Sequence, residues 1–209
     1  MFKERMKKKY YWFFYSIKLR KLLMTSLLRI ECIELPYTPA LSKLCHQVKN
    51  LHNRANFLIK SSLNKQNIIL SYYELDNLLK SEECYRLLPA HTAQYTLKLL
   101  CRNWKAYFQA LKEFKKYPEK FCGIPKSPKY KPKNGEGVAI ISNQQAKIKN
   151  GWIIFPKKIG FSYKTRLAMS TTLKEVRIVP RNVGYTLELV YEKIISKKRR
   201  RNTRIPLAR

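Results

Sequence analysis

The apolar positions of this chain change their period twice. Leu27 to Leu35 (LLRIECIEL) alternates as a strand does, and Pro36 ends it. From Pro39 the spacing becomes helical: Leu41, Leu44, Cys45, Val48, Leu51, Ala55 and Leu58 recur at intervals of three and four. Asn64 to Asn67 reads as a break. Ser71-Tyr-Tyr-Glu74 is a capping-box sequence and predicts a short helix through Leu79. A further helical turn is expected from Ser81 to Leu87. Pro89 suits the first turn of what reads as the longest helix, about Ala90 to Tyr117. Its apolar face is Ala93, Leu97, Leu100, Cys101, Trp104, Phe108 and Leu111.

Phe121 to Gly137 is expected to be a loop. Its centre, GIPKSPKYKPKNGEG, carries three prolines bracketed by lysines, which favours an extended, semi-rigid segment. From Val138 the period becomes two. Val138–Ser142, Ala146–Lys149, Trp152–Phe155, Phe161–Thr165, Leu173–Pro180 and Tyr185–Glu192 read as strands. Asn150-Gly151 is a two-residue hairpin signal and Arg181 to Gly184 a turn. One strand, a helical insertion and then a run of strands predict an α+β fold. The expected form is a small antiparallel β-barrel, wedge-like or OB-like, with a helical bundle inserted after its first strand. The expected parts are a barrel from 24–36 and 137–192, a helical bundle over 37–120, a basic Lys/Pro loop over 121–136 and a basic tail over 193–209.

Charge sharpens this outline. The 209 residues hold 44 Lys and Arg against 13 acids, a formal net charge of +31. That excess points to a polyanionic partner, nucleic acid foremost. Twelve of the acids are Glu, and Asp76 is the only Asp. Two-metal phosphodiester cleavage needs several hard carboxylates converging on Mg²⁺, and this composition is poorly equipped for it. On the helix over 90–117, Gln94, Lys98, Arg102, Lys105, Gln109, Lys112 and Lys116 fall on a second face, about a third of a turn from the apolar one. An ordinary solvated face mixes charge signs, but Glu113 is the only acid between Ala90 and Pro118. The stripe is therefore expected to contact nucleic-acid backbone. So are Lys126, Lys129, Lys131 and Lys133 of the loop, although the same composition suits a solvated linker.

The remaining chemistry is sparse. Cys32, Cys45, Cys84, Cys101 and Cys122 are odd in number and irregular in spacing, with no C-x-x-C, which argues against a zinc ribbon or a disulfide framework and for a reducing compartment. His46, His52 and His91 form no triad or metal spacing with Glu31 or Asp76. No apolar run is long enough to span a bilayer, so no membrane partner is expected. Residues 1–23 are basic and aromatic. They read as an extension upstream of a natural start at Met24, with a basic amphipathic membrane helix as the other reading. The last stretch, rich in Lys and Arg from Lys197 to Arg209, reads as a phosphate-binding tail.

Three stretches taken together resemble the amino-terminal half of TnpB-type proteins, the OrfB products of insertion-sequence elements and relatives of type V CRISPR effectors. They are LRIECIELP (Leu28–Pro36) with LCHQVKNLHNRANFLI (Leu44–Ile59), then Leu88 to Lys131, then ISNQQAKIKNGWIIFPKK (Ile141–Lys158) with EVRIVPRNVGYTLELVYE (Glu175–Glu192). The likeness covers about Met24 to Glu192, in order and spacing as well as residue type. It implies a wedge-like β-barrel with an inserted recognition bundle and RNA-guided recognition of DNA, with guide RNA and double-stranded target DNA as partners. Tyr72, Gln94, Ser142 and Asn143 match the positions that read the short DNA motif; Gln can pair bidentately with adenine. The plainer readings are helix packing for Tyr72 and turn residues for Ser142 and Asn143. Ala90 departs from the family, where a reader can be Lys.

The larger departure follows Glu192. Relatives continue into a nuclease segment of the form G-[IV]-D-[LV]-G, whereas this chain reads EKIISKKRRRNTRIPLAR. The catalytic carboxylates and the zinc-ribbon cysteines of the family are missing. The expectation is thus a nucleic-acid-binding half truncated before its nuclease, without enzymatic activity, metal or cofactor. It would be cytoplasmic and nucleoid-associated, and in a split arrangement partnered by a separately encoded nuclease half. The alternatives are an inactive, decayed transposon fragment and a nuclease-dead, guide-RNA-directed repressor.

Overall fold

A computed structural model of the chain describes residues 24–196. The expected extension over 1–23, and the tail from residue 197 onward, lie outside the described residues. The order of elements is β1 (Met24–Leu35), α1 (Pro39–Gln66), α2 (Tyr72–Leu79), α3 (Glu83–Arg86), α4 (Ala90–Lys116), β2 (Ala139–Ser142), β3 (Lys147–Lys149), β4 (Trp152–Ile154), β5 (Ser162–Lys164), β6 (Thr172–Arg181) and β7 (Gly184–Ser196). Single 3-10 turns lie at Pro118–Lys120 and Lys157–Ile159. Among the described residues, one compact unit covers Ile30–Tyr191. This unit contains the four helices and, among the described residues, every buried apolar side chain.

Local chemistry sets the helix ends. Thr38 is extended and Pro39 occupies the first turn of α1, where a missing N–H costs nothing. Asn67 closes α1 in the left-handed region (φ 55°) with its N–H on the Leu63 carbonyl, so the expected break narrows to that one residue. At α2 the capping box forms: the Glu74 N–H donates to Ser71 Oγ, and the Ser71 N–H donates to Glu74 Oε2 at 2.7 Å. Pro89 caps α4 from just outside its first turn and accepts the Ala93 N–H. At 28 residues α1 exceeds α4 by one, so the helix over 90–116 is not the longest.

The fold is mixed α+β, with two antiparallel sheets. One has the order β1-β7-β6-β2, the other β3-β4-β5. The strands do not form one closed sheet among the described residues. After β2 the chain turns at Asn143–Gln145, and the three short strands beyond the turn pair only with one another. α4 packs against α1, α2, α3 and β2. The core is shared: Leu41, Leu51 and Ile59 from α1, Leu75 and Leu79 from α2, Leu97 and Leu100 from α4, and Ile141, Ile178 and Leu187 from the larger sheet are fully buried. Each such side chain contributes about 1.5–3 kcal/mol relative to exposure. The apolar stripe of α1 continues through Ile59. Leu58, expected on that face, is only half-buried, because the spacing after Ala55 is four.

Both hairpin signals produce turns. Asn150 (φ 49°) and Gly151 (φ 76°) take the two left-handed positions that join β3 to β4 with Lys149 opposite Trp152. Gly184 has φ 103°, and a Cβ there would lie 2.3 Å from the Leu35 carbonyl oxygen. β7 runs on past Glu192 to Ser196, which moves the expected end of the last strand. All five cysteines are free. No helix among the described residues is long and apolar enough to cross a membrane.

Gly184→Ala is expected to lower the free energy of unfolding by about 2–4 kcal/mol, since it adds backbone strain and a steric clash in one atom. Gly123→Ala, where no atom lies within 4 Å of the added Cβ, should stay within about 0.5 kcal/mol. Denaturant titration of the two variants checks this.

Candidate nucleic-acid interface

Two basic elements flank α1: the outer face of α4, and the proline-rich segment over 124–137, which runs along α1 as a strap. Prolines 125, 128 and 132 cannot donate hydrogen bonds, so the strap is rich in carbonyl acceptors and poor in donors. α1 supplies the donors. Lys49 Nζ donates to the Lys133 carbonyl at 2.7 Å, Asn53 Nδ2 to Lys131 at 2.9 Å and Asn56 Nδ2 to Pro128 at 3.1 Å. Asn53 Oδ1 takes the Lys131 N–H in return at 2.9 Å, so its carboxamide stands where a neighbouring strand would. At the strap's end Ser42 Oγ donates to Glu136 Oε1 at 2.8 Å, and the Gly137 N–H donates to the Cys45 carbonyl.

Positions 42, 49, 53 and 56 form one stripe at helical spacing. Apolar periodicity picks out the core stripe of α1 and misses this polar one. Lys49 is 7% exposed and Asn56 fully buried. A Lys and an Asn at near-core spacing were the available signal, because such groups are buried only where partners await them. Asn56 also accepts the indole N–H of Trp104 at 2.9 Å, which ties α4 to the same junction. The buried Cys45 thiol is pushed up to about 12 by burial, with Glu136 adding to the effect.

Between α4 and the strap lies a groove of about 640 Å³. Lys126, Lys129, Lys131, Tyr107, Tyr130 and His52 are among its walls. Lys126, Lys129 and Lys133 are exposed and Lys131 half-buried. Lys60 Nζ sits 4.5 Å from the centre of the Tyr130 ring. Burial holds the His52 imidazole below its ordinary range, and the Lys131 charge acts in the same direction. On α4, Lys98, Arg102, Lys105, Lys112 and Lys116 are all exposed. Gln109 leans toward Glu113 at 3.5 Å. Among the described residues, Arg102, Lys105, Lys112 and Lys116 enter no ion pair.

The expected base readers divide. Tyr72 opens α2, half-buried, with Lys98 Nζ 5.0 Å from its ring centre. Burial raises its phenol pKa, with Asp76 adding to the effect. Gln94 is half-buried beside the Tyr85 hydroxyl, which donates to Asp76 Oδ1 at 2.7 Å. Burial, then this bond, pushes the Tyr85 phenol well above its usual range. Tyr72, Gln94 and Lys98 thus share one neighbourhood, and the chain's only Asp is engaged by a tyrosine there. Asn143 is exposed at the turn after β2, its N–H on the Lys174 carbonyl. Ser142 is not a loop residue. It is the last residue of β2, opposite Glu175, 5% exposed, with Oγ 2.8 Å from His91 Nδ1. Pairing with β6 turns its side chain toward α4, and His91, half-buried on the first turn of that helix, is the group it meets.

The described residues contain no group of three His, Cys, Asp or Glu placed to hold a metal. The chain matches no protein-family model and no curated protein sequence.

Replacing Asn56 with Leu leaves the Trp104 N–H and the Pro128 carbonyl without partners, at about 1–3 kcal/mol each. The expected loss of unfolding free energy is about 2–5 kcal/mol by denaturant titration. His52 gives a pH dependence. Its folded pKa is lowered, so the unfolded chain binds the extra proton. The neutral-imidazole contribution is complete above the ordinary value of 6.5 and is lost as the pH falls through it. The melting temperature should fall less from about pH 7.5 to about pH 5.5 in His52→Gln than in the unaltered chain.

Proposed function

We propose that residues 24–192 form a nucleic-acid-binding module of the TnpB type, which holds a guide RNA and duplex target DNA and does not itself cut. The observation that carries this reading is the exposed stripe of Lys98, Arg102, Lys105, Lys112 and Lys116 along α4, with no ion pairs on its last four members among the described residues. A surface that only needs solvation gains nothing from leaving like charges in a row, whereas a phosphate backbone supplies the counter-charge. The stripe and strap position the duplex through phosphate contacts. Tyr72, Gln94 and Asn143, with the Ser142–His91 pair behind them, face the base edges. In this reading the two sheets are the walls of a wedge-like barrel, and the helices are its recognition bundle. Asp76 Oδ1 accepts the Tyr85 hydroxyl. A cytoplasmic, nucleoid-associated location accords with the free thiols.

Duplex DNA binding followed by fluorescence anisotropy should weaken steeply with salt, with a log–log slope of about −0.9 per phosphate neutralised. The triple variant Arg102→Ala, Lys105→Ala, Lys112→Ala should make that slope shallower by about three, and leave the melting temperature unchanged, since all three side chains are exposed. A flat salt dependence in the unaltered chain would exclude the proposal.

A further inference from the structure

The smaller sheet carries a second surface, separate from the α4 stripe and the strap. Cross-strand register places Lys149, Trp152 and Lys164 in one row across β3, β4 and β5, and Lys147, Ile154 and Ser162 in the next. All six are exposed, and the residues between them in each strand (Ile148, Ile153 and Tyr163) turn inward. Trp152 is 43% exposed in a folded sheet, with a lysine directly opposite it on either side. Directly paired side chains in a sheet lie about 4.5–5.5 Å apart at Cβ, so a lysine side chain emerges on either side of the indole. From Gly137 to Lys174 the sequence contains no acid at all, against Lys147, Lys149, Lys157, Lys158, Lys164, Arg166 and Lys174.

We infer that this face is a stacking platform for an unpaired stretch of RNA. An exposed aromatic ring on an antiparallel sheet, with cations on both sides, offers one base a π-face and its neighbouring phosphates their counter-charges. A duplex cannot use it, because its base faces are already stacked. Charge complementarity selects a polyanion over an apolar protein segment, since the row holds two cations and no carboxylate. Ser162, on the same face and diagonal to Trp152, supplies a hydroxyl that can exchange hydrogen bonds with a ribose 2′-hydroxyl, which selects RNA over DNA. This surface gives the RNA part of the proposed function a location, and to that extent rests on it. Its geometry is independent of the α4 stripe.

The test uses the full chain and three labelled probes: an oligouridylate of about ten nucleotides, its deoxy counterpart, and a blunt duplex DNA. Trp152→Ala is expected to weaken oligouridylate binding at least about fivefold, Trp152→Phe to retain most of it, and Lys149→Ala with Lys164→Ala to make its salt slope shallower by about two. Duplex binding should change less than about twofold in all of them, and melting curves establish that each variant folds. The Arg102/Lys105/Lys112 variant should behave the opposite way, losing the duplex and keeping the single strand. Unchanged oligouridylate binding in Trp152→Ala overturns the platform. An equal loss for duplex overturns its selectivity for unpaired strands, and equal affinity for the deoxy strand overturns the assignment to RNA. A chain that ignores duplex DNA yet binds oligouridylate through Trp152 defeats the DNA reading and supports this one.

Discussion

The structure depends on one mismatch and its solution: a proline-rich segment has more acceptors than donors, and a helix beside it has side chains that donate. Without Lys49, Asn53 and Asn56 on α1, the carbonyls of Pro128, Lys131 and Lys133 would lie against a helix with nothing to bond. A free carbonyl can turn to water, and the strap would then leave the surface and take its lysines with it. With the donors in place the backbone is held from Pro128 to Gly137 while Lys126, Lys129 and Lys133 project outward. Asn56 is the junction of this arrangement, because its other end accepts from Trp104 of α4. The strap and α4 are therefore both tied to α1 through the same carboxamide.

Charge is then organised by where the acids are engaged. Glu136 accepts from Ser42 and Tyr185, Glu82 from Arg54, and Asp76 from Tyr85. Several of the few carboxylates are occupied in holding elements together and do not neutralise the basic faces. Arg54 and Glu82 illustrate the trade. Their bidentate contact joins α1 to the start of α3 and lowers the Glu82 carboxyl pKa, chiefly through that hydrogen bond. An exposed pair of this kind adds little stability. Its effect is to fix one cation, as Glu175 and Glu188 fix Arg177, while Arg102, Lys105, Lys112 and Lys116 enter no ion pair among the described residues.

Much of this was legible in the residues. The period switch at Val138, the capping box at Ser71, the Asn150-Gly151 hairpin and the apolar face of α4 each derive from local geometry, and each appears as an element or a buried face. What stayed hidden was long-range and polar. Nothing local marks Asn53 as a partner for Lys131, 78 residues away. Nor does a Ser at the end of a short strand reveal that His91 will meet it. The barrel expectation depended on strands closing with one another, and pairing of three-residue strands is decided by turns and neighbours rather than by alternation. Trp152 is a related case. Alternation places it in a strand, but only the register with Lys149 and Lys164 gives its exposed face a chemistry.

In the proposed function, geometry and not net charge alone makes the basic strap part of the binding surface. The most direct test removes the geometry and keeps every charge. In Asn53→Leu all Lys and Arg remain, while the strap loses its paired contact at Lys131. Affinity for duplex DNA, measured at fixed moderate salt on a variant whose helical circular dichroism is intact, should fall about tenfold, the equivalent of about 1.4 kcal/mol. Affinity equal to that of the unaltered chain would show that charge alone suffices and would contradict the account.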